Sequence, residues 1–583
     1  MSEPNTYSAA ESSYLMWRWQ WRRRIAIAQG EYPPHLLLKG GSVLNVFTGE
    51  FIEADVAIDA GRIAAIGSFP EGDTTVDVSG CVVTPSFIDP HFHLESTFLW
   101  PTEIAKLVVP RGTGTIITDP HEIANVAGMP GVQALRDASR NLPLDIHFSA
   151  PSCVPASERE SPGATFGRDE IASMLEWPET VALGEMMNFP GVLAADIEIA
   201  EKLWTARDFP RDGHAPGVGG RSLDAYVGAG MSSDHESVTL DEARDKLRAG
   251  MMVVLREGSS EKNLLDLLPL VTDTTWPRIT FASDDRDCHD LITKGHMDDI
   301  LRIAIGAGLD PARAITMATW NPARHWRLPE IGAVASGYKA NLVVLSDLES
   351  VVIRHTIHNG RIVATDGSMQ APSRSEPAPG FLRSTVNVAP VRISHLRLPE
   401  DVRNRAVEVA PGQIVMRLAE LYAGPNESAP VVSTDRDLLK LVSVERHHAT
   451  GRVGVGLVRG FGLKRGALAS TVAHDAHNIV AVGVSDADLL AAIATVAESQ
   501  GGLAVVADRQ VLAHLPLPIA GLVSDSPAEE VAQEYAAVED AARSLGCPLA
   551  SPFGQLVFLS LSVIPEARVT DRGFLDLRLQ PEA

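Results

Sequence analysis

Between residues 85 and 323 the chain alternates continuous apolar runs with amphipathic stretches, and polar residues follow each run. Examples are Gly114-Thr115-Ile116-Ile117-Thr118, Thr180-Val181-Ala182-Leu183-Gly184, Gly250-Met251-Met252-Val253-Val254-Leu255 and Arg278-Ile279-Thr280-Phe281-Ala282. A strand covered by helices on both faces reads as an unbroken apolar run. A segment of this length matches the ~250 residues of one (β/α)₈ barrel, whose chemistry lies at the C-terminal ends of its strands. The pattern predicts a barrel over 85–324 and directs attention to the polar residues just after each run.

Short strands broken by turns flank this segment, over 36–66 and again over 341–363. They predict one small β-sandwich built from two distant pieces, 34–84 and 325–368. Residues 366–390 are rich in Pro, Ser and Ala, as in a linker. Beyond it, 385–583 alternates strands with Ala-rich helices, so a C-terminal α+β domain is expected. The first 33 residues are expected to form a helical extension. Its run Met16-Trp17-Arg18-Trp19-Gln20-Trp21-Arg22-Arg23-Arg24 should be a helix that packs its tryptophans on the body or on a neighbouring subunit. The apolar stretch Ile25-Ala26-Ile27-Ala28 is too short for the core of a secretory signal.

Composition removes several classes. Apolar residues at 45% and charged residues at 21% fit a globular protein and argue against disorder. Lys plus Arg number 50 against 74 Asp plus Glu, a net charge of −24, so nucleic acid is not an expected partner. No apolar run reaches the ~18 residues of a membrane span, so no membrane association is expected. Cys81, Cys153, Cys288 and Cys547 are far apart with no CxxC. That excludes a disulfide framework or a Cys zinc site and fits the cytoplasm.

The strongest chemical signal is Ile88-Asp89-Pro90-His91-Phe92-His93-Leu94-Glu95. On a strand, residues two apart point the same way, so His91 and His93 can share one ion. Glu185, His214, His235 and Asp284 sit where later strands should end, at positions suited to barrel strands four, five, six and eight. Imidazoles with carboxylates form a borderline-hard ligand set suited to Zn, Fe or Mn. His121 and Glu122 follow another strand. They read either as substrate contacts or as a helix start, with Asp119 as cap and Pro120 in the first turn. In the last domain, His474 and His477 read as loop-ordering residues or as part of a lid over the barrel mouth.

The chain resembles the amidohydrolase superfamily of metal-dependent barrels, through the HxH after a β unit and the return segment from Gly332 to Leu345. Within that superfamily it is similar to the bacterial adenine deaminases. The shared segments are Asp119-Pro120-His121-Glu122-Ile123-Ala124-Asn125-Val126, Gly184-Glu185-Met186-Met187-Asn188-Phe189-Pro190-Gly191-Val192, Asp212-Gly213-His214-Ala215-Pro216, Ser233-Asp234-His235-Glu236, Gly451-Arg452-Val453-Gly454-Val455-Gly456 and Ala473-His474-Asp475-Ala476-His477-Asn478. The resemblance implies hydrolytic deamination of adenine to hypoxanthine and ammonia, in purine salvage, by hydroxide activated between two divalent cations. Mn²⁺ or Fe²⁺ is expected before Zn²⁺. His91, His93, Glu185 and Asp284 would hold one ion, and Glu185, His214 and His235 the other. Glu185 takes the bridging place that a carboxylated lysine fills in many relatives. Asp284, His235 and Glu122 are the expected catalytic residues, and Asp119, His121, Glu122 and Glu236 the expected substrate contacts. A homo-oligomer of two or more chains is expected. The alternative is another amidohydrolase that opens a cyclic amide or cleaves an N-acyl group.

Overall fold

A computed structural model describes residues 9–370, 376–410, 416–421, 432–564 and 566–579. Of the expected N-terminal extension and linker, 1–8 and 371–375 lie outside the described residues.

Strands from both flanking pieces join one nine-stranded sheet. The strand Val82–Pro85 is the joint: it pairs parallel with Leu36–Asn45 on one side and antiparallel with Leu342–Asp347 on the other. This sheet is the β part that carries the chain into and out of the barrel.

The barrel is a curled parallel sheet in two arcs. Phe87–Phe92, Thr113–Thr118, Asp145–Ala150, Thr180–Met186 and Arg211–Gly213 form the first, and Ser233–Asp234, Met252–Arg256 and Ile279–Ala282 the second. Backbone bonds close both seams. The Ser232 N–H donates to Arg211 O at 2.9 Å, and the Asp284 N–H to His91 O at 3.0 Å. Strand alternation sorts the apolar side chains. Val253, Leu255, Ile279 and Phe281 pack outward against the helices, whereas Ile88, Ile117, Ala182, Met252, Val254 and Ala282 share an inner cluster with Trp326. The barrel interior is therefore a packed plug, and the polar strand ends sit above it.

The C-terminal lobe is an eight-stranded sheet with the helices Asp486–Glu498 and Ala528–Ser544. It docks on the loops of the barrel mouth. The Trp100 N–H donates to Ser524 O at 3.0 Å, and Asp571 accepts from the Ser161 N–H at 3.0 Å. The chain is thus a (β/α)₈ barrel with a small β domain and a C-terminal α+β lobe.

The N-terminal segment forms the helix Ala9–Ala28, held by an Arg23–Asp59 ion pair at 3.0 Å. Its tryptophans do not pack on the body: Trp17, Trp19 and Trp21 are 51%, 58% and 46% exposed. Among its described side chains, Ile27 alone is fully buried. Among the described residues, no helix is long and apolar enough to cross a membrane.

Candidate metal centre and active site

Five strand ends bring the six expected ligands to one place, and all six are buried. The tautomers of the first two are fixed by their neighbours. His91 Nδ1 lies 2.7 Å from Asp212 Oδ2 and His93 Nδ1 3.1 Å from the Asp119 carbonyl. Both oxygens can only accept, so each Nδ1 carries the hydrogen and each Nε2 presents a lone pair. Those two Nε2 atoms face each other at 3.2 Å. Glu185 Oε1 and Asp284 Oδ1 lie 3.3 Å and 3.1 Å from His93 Nε2. Four atoms able to give electron pairs converge on one point, the arrangement of a cation site.

The second oxygen of Glu185 faces a second group. Its Oε2 lies 2.6 Å from His214 Nδ1 and 3.4 Å from His235 Nε2. Glu185 is therefore shared between two ligand sets, one carboxylate oxygen to each. Glu236 Oε1 stands 3.4 Å from His235 Nε2 and 3.7 Å from His214 Nδ1. The Nε2 of His214 and the Nδ1 of His235 are buried without a hydrogen-bond partner. The donor set fits two divalent cations.

Local sequence explains these placements. Gly184 lets the chain pass Asp119: a Cβ there would lie 2.1 Å from Asp119 Oδ2. That oxygen accepts the Glu185 N–H at 2.8 Å, which sets the height of the bridging carboxylate. Asp119 does not cap the helix His121–Ser139, which starts with no side-chain cap. Asp284 has a φ of 57°, a left-handed conformation that Asp tolerates better than most residues. There its Oδ2 meets Arg256 Nη1 at 2.6 Å while Oδ1 faces the histidines.

The field of the site follows from its charges. Burial would raise the Asp284 carboxyl, but Arg256 and the histidines hold it well below the usual carboxylate range. Glu185 behaves alike, with His214 foremost among its partners. Glu122 is raised, chiefly by burial.

The expected substrate contacts fall into two groups. His121 borders the cavity and Glu122 is buried beside it; both ring nitrogens of His121 and Oε2 of Glu122 have no hydrogen-bond partner. Asp119 is engaged by the Glu185 backbone, and both oxygens of Glu236 are taken by Arg256. Three groups escaped the sequence reading. Arg256 ends strand seven directly after a named apolar run. Asp212 lies two residues before His214, the same i, i+2 relation as His91 and His93. Asp475 comes from the far lobe and stands 3.7 Å from His121, next to His474, which was expected at the barrel mouth and stands 3.6 Å from Asp285. A wider hollow, about 1030 Å³, lies elsewhere, beside Arg62 and Lys339 near the N-terminal helix. It holds no comparable ligand set, so donor chemistry rather than size marks the site.

Two family models match: the amidohydrolase family over residues 82–363 and the adenine deaminase C-terminal domain over 416–580. The chain is 44% identical over 555 residues to an adenine deaminase of Dehalococcoides mccartyi, covering 95% of this chain and 97% of that one. It is 44% identical to adenine deaminase 2 of Carboxydothermus hydrogenoformans over the same shares. It is 42% identical to the adenine deaminase of Halalkalibacterium halodurans, over 95% and 96%. The chain belongs to the adenine deaminase family of metal-dependent amidohydrolases, and it is a hydrolase of that kind.

Proposed function

We propose that the chain converts adenine and water to hypoxanthine and ammonia, in purine salvage, with two divalent cations, Mn²⁺ or Fe²⁺ before Zn²⁺. The observation that carries this reading is Glu185, whose two oxygens face two separate ligand sets. When bound, the cations supply the Lewis acidity that makes water a nucleophile at neutral pH. His91, His93, Glu185 and Asp284 would hold one, and Glu185, His214 and His235 the other.

The chain's own groups do the rest. Asp284, fixed by Arg256 on one oxygen, takes a proton from the attacking water and returns it to the amine leaving C6. Glu122, raised by burial, hydrogen-bonds a ring nitrogen from the side of His121. His235 stands between Glu185 and Glu236 and keeps the second ligand set in register. Asp119 and Glu236 we assign to positioning, because their carboxylates already serve Glu185 and Arg256.

Four free, buried thiols support a reducing cytoplasm. The exposed aromatic face of the N-terminal helix supports a homo-oligomer of two or more copies. The shared nine-stranded sheet supports a division into 1–33, 34–84 with 325–368, 85–324 and 385–583. The test is to load the full chain with Mn²⁺ and follow adenine by product analysis. Equal yields of ammonia and hypoxanthine with two metal ions per chain are expected. Ring opening, or full turnover with one ion, would overturn the reading.

A further inference from the structure

One wall of the active-site cavity comes from the C-terminal lobe: His474, Asp475, Phe558 and Leu561. Asp475 Oδ1 stands 3.7 Å from His121 Nε2 and 3.5 Å from His474 Nδ1. Its Oδ2 is buried with no hydrogen-bond partner, as are Glu122 Oε2 and both ring nitrogens of His121. Native structures leave few buried polar atoms unmatched, because each forfeits its water for nothing. Those of Asp475 and His121 border one cavity and form a surface for a polar ligand.

The wall is also thin. Phe558 stacks on the His474 ring at 5.1 Å and 18°. Behind the pair lies a second hollow, bordered by Leu503, Tyr535 and Phe553. The cavity at the ligands measures about 30 Å³ and the one behind about 50 Å³, room for a few waters each. The stacked pair borders both hollows and is what stands between them.

N9 is the adenine nitrogen farthest from C6, so with C6 at the ligands N9 points away from them. We propose that Asp475 is a specificity-determining residue whose unpaired Oδ2 accepts the N9–H of the free base. The site thereby selects unsubstituted purine bases over N9-substituted ones. An N9 substituent removes the hydrogen bond, leaves the carboxylate unmatched and presses on the stacked pair. This rests on the reading that adenine is the substrate.

The experiment uses the full-length, Mn²⁺-loaded enzyme and compares kcat/KM for adenine and 9-methyladenine in wild type, Asp475→Asn and Asp475→Ala. Sites built to bond a polar hydrogen reject analogues lacking it by about 10⁴-fold. Wild type should therefore prefer adenine by about 10³-fold or more. In Asp475→Ala that preference should shrink to about tenfold, through loss on adenine, with metal content unchanged. Wild type that turns over 9-methyladenine within about threefold of adenine overturns the proposal, and needs no variant to fold. An undiminished preference in both variants overturns it too, since another group then reads N9. Loss of metal from both variants would make Asp475 a ligand and equally refute it. Wild type that releases no ammonia from adenine but acts on another substrate overturns the functional reading, and this inference with it.

Discussion

Lys246 joins the two strand ends that carry the second ligand set, although it touches neither ligand. Its ammonium is fully buried, 2.8 Å from Asp234 Oδ2 and 3.0 Å from Glu242 Oε1, and it donates to Ala215 O at 2.8 Å. Ala215 follows His214 and Asp234 precedes His235, so one cation ties the two histidines' backbones together. Burial alone would lower this lysine; Asp234 and Glu242 outweigh it and raise it. Lys246→Met keeps the length and removes the charge, which strands the Asp234 carboxylate. Breaking a buried pair on one side costs about 3–5 kcal/mol. Asp234 keeps bonds from the Ala215 N–H, the Ser237 N–H and the Ser237 hydroxyl, which favours the lower end, about 3 kcal/mol. Adding Asp234→Asn neutralises the stranded charge and should recover roughly half of that cost. Denaturant unfolding followed by tryptophan fluorescence is the assay, because all nine Trp lie at or before Trp326 and report on the N-terminal portion. Metal content should fall from two ions toward one in the single variant. A single variant within about 1 kcal/mol of wild type, or a double variant no better than the single, would refute the tie.

Glu185→Gln keeps the shape of the bridge but removes its charge, so loss of at least one ion and of nearly all deamination is expected; a variant with two tightly held ions and full turnover contradicts the bridging role. Asp284→Asn retains an oxygen toward the histidines and tolerates the same left-handed backbone, but accepts no proton at neutral pH; kcat should fall about 10²-fold or more with metals largely retained. A metal-loaded variant within about threefold of wild type excludes Asp284 as the proton carrier. Glu539 is raised to about 7, mainly by burial, against 4.5 unperturbed. Between those values the folded chain holds a proton that the unfolded chain has released, so this group's contribution to stability falls as pH rises through that window. Glu539→Gln should therefore melt above wild type at pH 8, by up to about 3 kcal/mol of stability, and alongside it below pH 4.5; a gain equal at both pH values disproves the titration.

The long strands and the ligands at their ends were legible because burial on both faces writes itself as an apolar run. The two shortest barrel strands, Arg211–Gly213 and Ser233–Asp234, have no such run. Their histidines were found instead from the polar segments around them. Arg256 was visible by the same end-of-strand rule, but an arginine there suggests no ligand. The tryptophan-rich helix illustrates the opposite failure: aromatic residues usually mean burial, and within one copy of this chain they are exposed. The closeness of Asp475 to His121 could not be read at all. It depends on how a separate lobe docks, which is a long-range packing outcome with no periodicity in the local sequence.

Each candidate ligand is held by a residue from another element of the barrel, and this explains why the cluster needs the whole ring. Asp212 on strand five orients His91 of strand one. The Asp119 carbonyl after strand two orients His93, while its side chain holds the backbone of Glu185 on strand four. Arg256 of strand seven holds Asp284 after strand eight. Lys246 reaches from a helix to join strands five and six. Every such tie crosses between strands, so the positions of the ligand atoms are fixed by closure of the barrel and not by any one segment. Asp119 is the most connected of these groups, since one residue sets both a histidine of the first ligand set and the carboxylate shared with the second. The two candidate ligand groups therefore share a backbone connection as well as Glu185, and a disturbance at the end of strand two reaches both without touching a candidate ligand directly.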